Sequence, residues 1–316
     1  MALETRGRTA LTRSHTDPRT PSAEPSAESP RVCAIVVTYN RRELLDQVLA
    51  ALHRQTRRPD EILLIDNAST DGTPEFVAER YPEVIVQTQA SNRGGAGGFA
   101  AGIEWGHQRG NEWIWCMDDD TVPRSDALRE LLEALDRAPG KTPLVLTSRV
   151  LWHDGTPHPM NRAIPRWRWG VEMADGARRG LLLVRSATFV STMLHRTCVD
   201  RFGLPPEHYF LWADDIEYTS RILREELGYY VPESVVEHLT KSTRTAQDDT
   251  SDRYYFHVRN YLLLLRGTAF APVERLAALR WYVSTLRRYL QRTRYRPAAL
   301  SVVFRGVRDG VRGATR

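Results

Sequence analysis

Residues 31–72 read RVCAIVVTYN RRELLDQVLA ALHRQTRRPD EILLIDNAST DG. Val32 to Thr38 is a short, apolar, β-branched run, the mark of a buried strand. Arg42 to Arg54 then carries Leu44, Leu45, Val48, Leu49 and Leu52 at helical spacing. Glu61 to Ile65 is a second strand, and Asp66-Asn67-Ala68-Ser69-Thr70-Asp71-Gly72 is rich in turn formers. The alternation continues outward. Thr73 to Tyr81 reads as a helix with Pro74 in its first turn, Val84 to Gln87 as a strand and Gly98 to Gln108 as a helix. Trp113 to Met117 reads as a strand and Ser125 to Asp136 as a helix. Strands alternating with helices predict an α/β fold, a mostly parallel sheet covered on both faces. Ligands of such sheets bind beyond the carboxyl ends of the strands.

Past residue 150 the pattern loosens. Residues 152–180 have no clear period; Leu181 to Met193 and Val231 to His238 read as strands. Ile216 to Leu227, Tyr254 to Leu265 and Val273 to Leu290 read as helices. The expected organisation is a disordered extension over 1–30, a catalytic domain over 31–272 with halves 31–150 and 151–272, and a basic helical tail over 273–316. The extension is rich in Pro, Ser, Thr, Ala and Arg and has no apolar stretch of the kind a secretory signal carries.

Composition narrows the classes. Of 316 residues, 41% are hydrophobic and 26% charged, which suffices for a core. The longest apolar runs, such as Leu262 to Leu265, fall far short of the ~20 residues of a spanning helix. Three cysteines at 33, 116 and 198, with no paired spacing, argue against a disulfide framework or a thiolate zinc site and favour a reducing compartment. The net charge of +5 is uneven: residues 274–316 hold eleven Arg against two acids, which makes +9 and leaves −4 for the rest. Such a tail suits an anionic surface.

Four segments carry chemistry. Asp118-Asp119-Asp120 closes the strand begun by Trp113-Ile114-Trp115-Cys116. Alternate strand residues share a face, so Asp118 and Asp120 can address one hard cation, Mg²⁺ or Mn²⁺, with Asp119 turned away. An acidic cluster at the start of the next helix is the other reading. Asn92-Arg93-Gly94-Gly95-Ala96-Gly97-Gly98 allows close backbone approach to an anionic ligand. Gly95-x-Gly97-x-x-Ala100 even fits a dinucleotide fingerprint, and so admits a nicotinamide or flavin oxidoreductase. Against that, the first strand-to-helix turn, Thr38 to Arg42, has no glycine, and a ribose needs one carboxylate rather than three. Asp214-Asp215 precedes a helix, as a cap or as a general base. His238 ends a strand, as a structural residue or as a third ligand beside two carboxylates. A non-catalytic binding module is a further reading.

Taken together, Val36-Val37-Thr38-Tyr39-Asn40-Arg41, Ile65 to Gly72, Asn92 to Phe99, Asp118-Asp119-Asp120 and Asp214-Asp215 resemble, in order, the inverting nucleotide-sugar glycosyltransferases of family 2. With Trp113-x-Trp115 and Arg259-Asn260, the pattern is most similar to the actinobacterial galactofuranosyltransferases and their rhamnosyltransferase relatives. The resemblance implies a GT-A fold, Rossmann-like, with C-terminal helices. It implies a donor that is UDP- or dTDP-linked, most simply UDP-galactofuranose, with dTDP-rhamnose or another nucleotide sugar as the alternative. Thr38, Tyr39, Arg41 and Asp66 would line the nucleotide pocket with Asn67 beside it, and Asn92, Gly94 and Gly95 would face the donor. Asp118 and Asp120 would hold Mn²⁺ or Mg²⁺ against the diphosphate, with Asp119 nearby and His238 as third ligand. Asp215 would be the base, supported by Asp214.

The acceptor is expected to be a glycan, a polyprenyl-linked glycan or a small molecule of natural-product assembly. Arg166-Trp167-Arg168-Trp169 suits a sugar-stacking loop or a packed connection. Leu276, Leu279, Val283, Leu286 and Leu290 predict an amphipathic helix that lies on anionic lipid or packs on the domain. The expected location is cytoplasmic, peripheral to the membrane, in cell wall biogenesis. No nucleic-acid recognition module is apparent.

Overall fold

The structure is a computed structural model and describes residues 29–166, 170–242 and 246–313. In chain order it runs β1 (Val32–Thr38), α1 (Arg42–His53), β2 (Glu61–Asp66), α2 (Thr73–Arg80), β3 (Ile85–Thr88), α3 (Gly94–Gln108) and β4 (Trp113–Asp118). There follow β5 (Thr121–Pro123), α4 (Ala127–Arg137), β6 (Val145–Leu151), β7 (Ile164–Pro165), α5 (Val171–Arg178), β8 (Leu182–Ser186) and β9 (Thr192–His195). Last come α6 (Thr197–Phe202), α7 (Asp214–Leu223), β10 (Gly228–His238), α8 (Tyr254–Arg266), α9 (Pro272–Arg292) and α10 (Pro297–Arg312).

One sheet has the order β3-β2-β1-β4-β9-β6-β10-β8-β7, with β5 paired to β10. The pairs β1–β2, β2–β3, β1–β4 and β6–β10 are parallel. β9 runs antiparallel between β4 and β6. The period of two along β1 sorts its side chains onto two faces. Val32, Ala34 and Val36 enter one core with Leu45, Val48 and Leu49 of α1 and Leu128 and Leu131 of α4. Cys33, Ile35 and Val37 enter the other, with Phe99 and Ile103 of α3 and Tyr218 and Ile222 of α7. Each fully buried Val, Leu or Ile among them contributes about 1.5–3 kcal/mol.

Two expectations are corrected. Leu181 to Met193 is not one strand: the chain leaves the sheet after Ser186 and returns as β9. The Ala187 amide turns instead to Thr219 Oγ1 of α7, 3.1 Å away, and that hydroxyl donates back to the Ala187 carbonyl. The glycine run is not a loop ahead of the helix, because α3 already begins at Gly94. Its interior glycines serve packing: a Cβ on Gly98 would stand 2.4 Å from Val37 Cγ1, and one on Gly102 2.5 Å from Ile35 Cγ2. Their absence lets α3 lie directly on β1.

The C-terminal helices share a core of Tyr254, Val258, Tyr282, Tyr289, Ala299 and Val302. Tyr254 and Tyr289 stack with their rings 3.8 Å apart. Buried Arg185 of β8 pairs with Glu274 at the start of α9 at 2.8 Å and so ties that helix to the sheet. The apolar stripe of α9 divides: Leu286 and Leu290 pack inward, while Leu276, Leu279 and Val283 stay 62%, 44% and 54% exposed. No helix among the described residues is long and apolar enough to cross a membrane.

Candidate active site

The carboxyl ends of β1, β2 and β4 lie side by side, because these strands are parallel and in register. At the end of β1, buried Thr38 donates its hydroxyl to Asp119 Oδ2 at 2.8 Å, and the Tyr39 amide donates to the same oxygen at 3.3 Å. Arg41 Nη1 donates to Asp119 Oδ1 at 3.1 Å and to Asp120 Oδ2 at 2.8 Å. Asp119 is therefore a latch between two strand ends. Tyr39 is 44% exposed beside it. At the end of β2, the buried Asp66 carboxylate accepts the Ser69 amide at 3.2 Å and shapes the turn. Asn67 is also buried; its Nδ2 donates to the Gly94 carbonyl at 3.1 Å, and Asn92 Oδ1 accepts the Gly94 amide at 2.8 Å. Gly94 needs its φ of +69° and lies under Phe210, whose carbonyl oxygen would be 2.0 Å from a Cβ. Gly95 has open space where a side chain would be.

Residues 121–123 fold straight back from the aspartates as β5 and pair with the end of β10, setting His238 opposite Thr121. The Leu239 amide donates to the Asp120 carbonyl at 2.8 Å. This return brings one ligand atom each of Asp118, Asp120 and His238 within 4.8 Å of one another. His238 Nε2 stands 3.0 Å from Asp120 Oδ1, an ion-pair distance without hydrogen-bond alignment, and Asp120 Oδ1 is buried with no hydrogen-bond partner. His238 Nδ1 lies 2.8 Å from Asn161 Oδ1. With that oxygen accepting, the proton sits on Nδ1, and a neutral ring aims the Nε2 lone pair at the aspartates. Two carboxylates and one imidazole, with an orphaned oxygen among them, fit a divalent cation with mixed oxygen and nitrogen ligands.

The electrostatics agree. Burial, then the Asp120 charge, pushes the Asp118 carboxyl up to about 7. Burial also lifts Asp119, to about 6, against the pull of Arg41. Asp120 is held below the usual range: burial would raise it, but His238 and Arg41 outweigh that. Burial opposes charge on His238, yet Asp120 and Asp118 together raise it. Buried acids crowded this way favour a bound cation.

Asp214 and Asp215 open α7, where the helix dipole favours negative charge. Asp214 is buried, and its carboxyl is driven well up by burial, by Asp215 and by the charge of Asp118. Asp215 is partly open; burial lifts it to about 6, while the Ile216 amide, 2.7 Å away, and the Phe189 amide restrain the rise. The charge of Asp118 thus reaches Asp214 at the start of α7. Asn161 was not legible as a partner of His238, since it sits on a single 3₁₀ turn, Pro159–Asn161, in the least periodic part of the sequence. Arg259 and Asn260 stood out only as a motif. Trp167, Arg168 and Trp169 lie outside the described residues.

A family model described as glycosyl transferase family 2 matches residues 33–202. The chain belongs to that family, and it is a glycosyltransferase. This removes the oxidoreductase reading, as does the placement of the glycine run on the third rather than the first strand-to-helix crossing. A galactofuranosyltransferase of Mycolicibacterium smegmatis is 28% identical over 279 residues, 82% of this chain and 91% of that protein. An N-acetylglucosaminyl-diphospho-decaprenol L-rhamnosyltransferase of Mycobacterium tuberculosis is 27% identical over 256 residues, 73% of this chain and 82% of that one. Among solved structures, a mannosyltransferase from Pyrobaculum calidifontis in complex with GDP-Man and Mn²⁺ superposes with a TM-score of 0.55 at 20% identity, over 89% of this chain and 81% of its own. TarS of S. aureus in complex with UDP-GlcNAc does so with a TM-score of 0.60 at 14% identity, over 89% and 80%. The fold is GT-A: a mostly parallel sheet with helices on both faces and helices at the C-terminus.

Proposed function

We propose that this family 2 enzyme is a metal-dependent, inverting transferase that moves galactofuranose from UDP-galactofuranose to a hydroxyl of a lipid-linked glycan. What supports the reading is that Asp118, Asp120 and His238 gather within 4.8 Å and that the charge of Asp118 reaches Asp214 at the start of α7. Asp118, Asp120 and His238 would hold the cation, Mn²⁺ or Mg²⁺. When bound, it offsets the charge that grows on the departing diphosphate. Thr38, Tyr39, Arg41, Asp66 and Asn67 border the nucleotide, and Gly95 offers the donor an open backbone surface. Asp215 accepts the proton of the acceptor hydroxyl as that oxygen attacks the anomeric carbon. The carbon–diphosphate bond breaks with its electron pair leaving on the nucleoside diphosphate. One displacement from the opposite face inverts the centre. Asp214, whose carboxyl is driven well up by burial and by the Asp215 charge, helps orient the acceptor or supports Asp215.

The galactofuranose donor is supported by the greater span of the galactofuranosyltransferase match; the rhamnosyltransferase match favours dTDP-rhamnose as the second reading. Nucleotide release from UDP-galactofuranose and dTDP-rhamnose, each with and without a polyprenyl-diphosphate glycan, separates the two. Acceptor-dependent release of thymidine diphosphate alone overturns the first. A lipid-linked acceptor is supported further by α9, whose outward Leu276, Leu279 and Val283 lie among Arg280 and Arg287, chemistry suited to an anionic membrane surface.

A further inference from the structure

The turn ahead of α7 follows a path that side chains resist. Phe210, Trp212 and Ala213 have φ of +63°, +65° and +71°. None is glycine, asparagine or aspartate, the types that tolerate this region. Something outside the turn must hold it.

That support comes from α8. Asn260 Nδ2 donates to the carbonyls of Tyr209, Leu211 and Trp212 at 2.9, 2.8 and 2.8 Å. Arg259 Nη2 donates to the carbonyls of His208 and Tyr209 at 2.7 and 2.9 Å, and its Nε donates to Asn260 Oδ1 at 2.9 Å. The last contact orients the amide so that its nitrogen faces the turn. Both side chains are fully buried, and no carboxylate pairs with Arg259 among the described residues. A buried guanidinium spent on backbone oxygens is a costly arrangement. It lies over the rings of Tyr255 and Phe256 at 5.4 and 5.3 Å, and Phe256 stacks on Phe210 at 5.0 Å. On the opposite side the Phe210 carbonyl accepts the Ala96 amide at 3.3 Å and presses on Gly94. The turn is therefore gripped between α8 and the start of α3, and its next residues are Asp214 and Asp215.

We propose that Asn260, oriented by Arg259, is a positioning residue for the transfer step: it holds residues 209–213 in the turn that sets Asp215 against the acceptor hydroxyl. The inference rests on Asp215 being the base. Asn260 is fully buried and bonds to Arg259 and the turn, not to the residues assigned to donor or cation, so its loss acts on turnover and not on donor binding.

The test uses the full chain with Mn²⁺ and UDP-galactofuranose, or whichever donor proves active. Asn260→Ser keeps one donor of the fork, and Asn260→Asp keeps the shape but offers no hydrogen. Expected for Asn260→Ser is a kcat about 100-fold lower with donor KM and UDP binding within about twofold, since a misplacement of about 1 Å costs that much. Asn260→Asp loses more, and Arg259→Lys, which retains the charge without the fork, loses less. The acid limb of the kcat profile also moves in Asn260→Ser, because a shifted turn changes the burial of Asp215; a scaffold role alone leaves the limb where it is. Asp215→Asn is the control. If it turns over normally, the base assignment fails. If it is inactive while Asn260→Ser keeps both its kcat and its limb, the positioning role is wrong. Loss of UDP binding in step with kcat also overturns it, by making Asn260 a residue of the whole fold.

Discussion

Asp118–Asp120 end a strand and are neutralised from two sides, by Arg41 and by His238, whereas Asp214–Asp215 begin a helix and pair with no basic side chain among the described residues. In the proposed function the counter-charge that the first group lacks is a divalent cation. The second is held by backbone: amides restrain Asp215, and a strained turn fixes its position. The contrast teaches that acids alike in sequence take up different work according to what neutralises them.

The comparison breaks most decisively at Asp215. Asp215→Asn is expected to lower kcat about 1,000-fold, within the range for a lost general base, while UDP binding with Mn²⁺ stays within about twofold. Single-turnover assays and calorimetry read the two quantities separately, and normal turnover moves the base elsewhere. The strand group gives the reverse pattern. Asp120→Ala and His238→Ala are each expected to weaken Mn²⁺-dependent UDP binding about 100-fold, and Asn161→Ala about 10-fold, because it frees the ring it orients. Unchanged titrations in all three leave the cation without its proposed ligands.

The pH dependence sharpens the difference. A base works ionised, and burial has raised the Asp215 carboxyl to about 6. Turnover is thus full above that value and falls about tenfold per unit below it. A profile flat down to pH 4.5 is incompatible with this role. The smallest effect concerns α9. Leu279→Asp is expected to cut pelleting with anionic vesicles about fivefold at low salt and to leave turnover on a soluble acceptor unchanged. Equal pelleting leaves this face simply solvated.

The early half of the chain was legible because its periods are clean. β1, α1 and β2 each bury one face or both, and their apolar residues repeat accordingly. The aspartates and His238 were legible as strand ends, a place where side chains reach a ligand. What escaped depends on contacts distant in sequence. A helical tail over 273–316 was expected, but not its division into α9 and α10, nor that Gly306 and Gly310 let α10 press on α8: a Cβ on the first would stand 2.6 Å from Val258 and on the second 2.8 Å from Leu262. The stripe of α9 was visible, but not that Leu286 and Leu290 alone turn inward. Asn161 and the grip of Asn260 on the turn before α7 belong to no local period, and only the folded chain relates them to His238 and Asp215.

The pairing of β5 with β10 has a consequence for biogenesis. As the polypeptide leaves the ribosome, the aspartates emerge more than a hundred residues ahead of the histidine they are to meet. A growing chain arrested before β10 therefore carries the aspartates with Arg41 but without the histidine. On the proposed reading, loading with metal becomes an event of late synthesis, coupled to the strand that closes the loop.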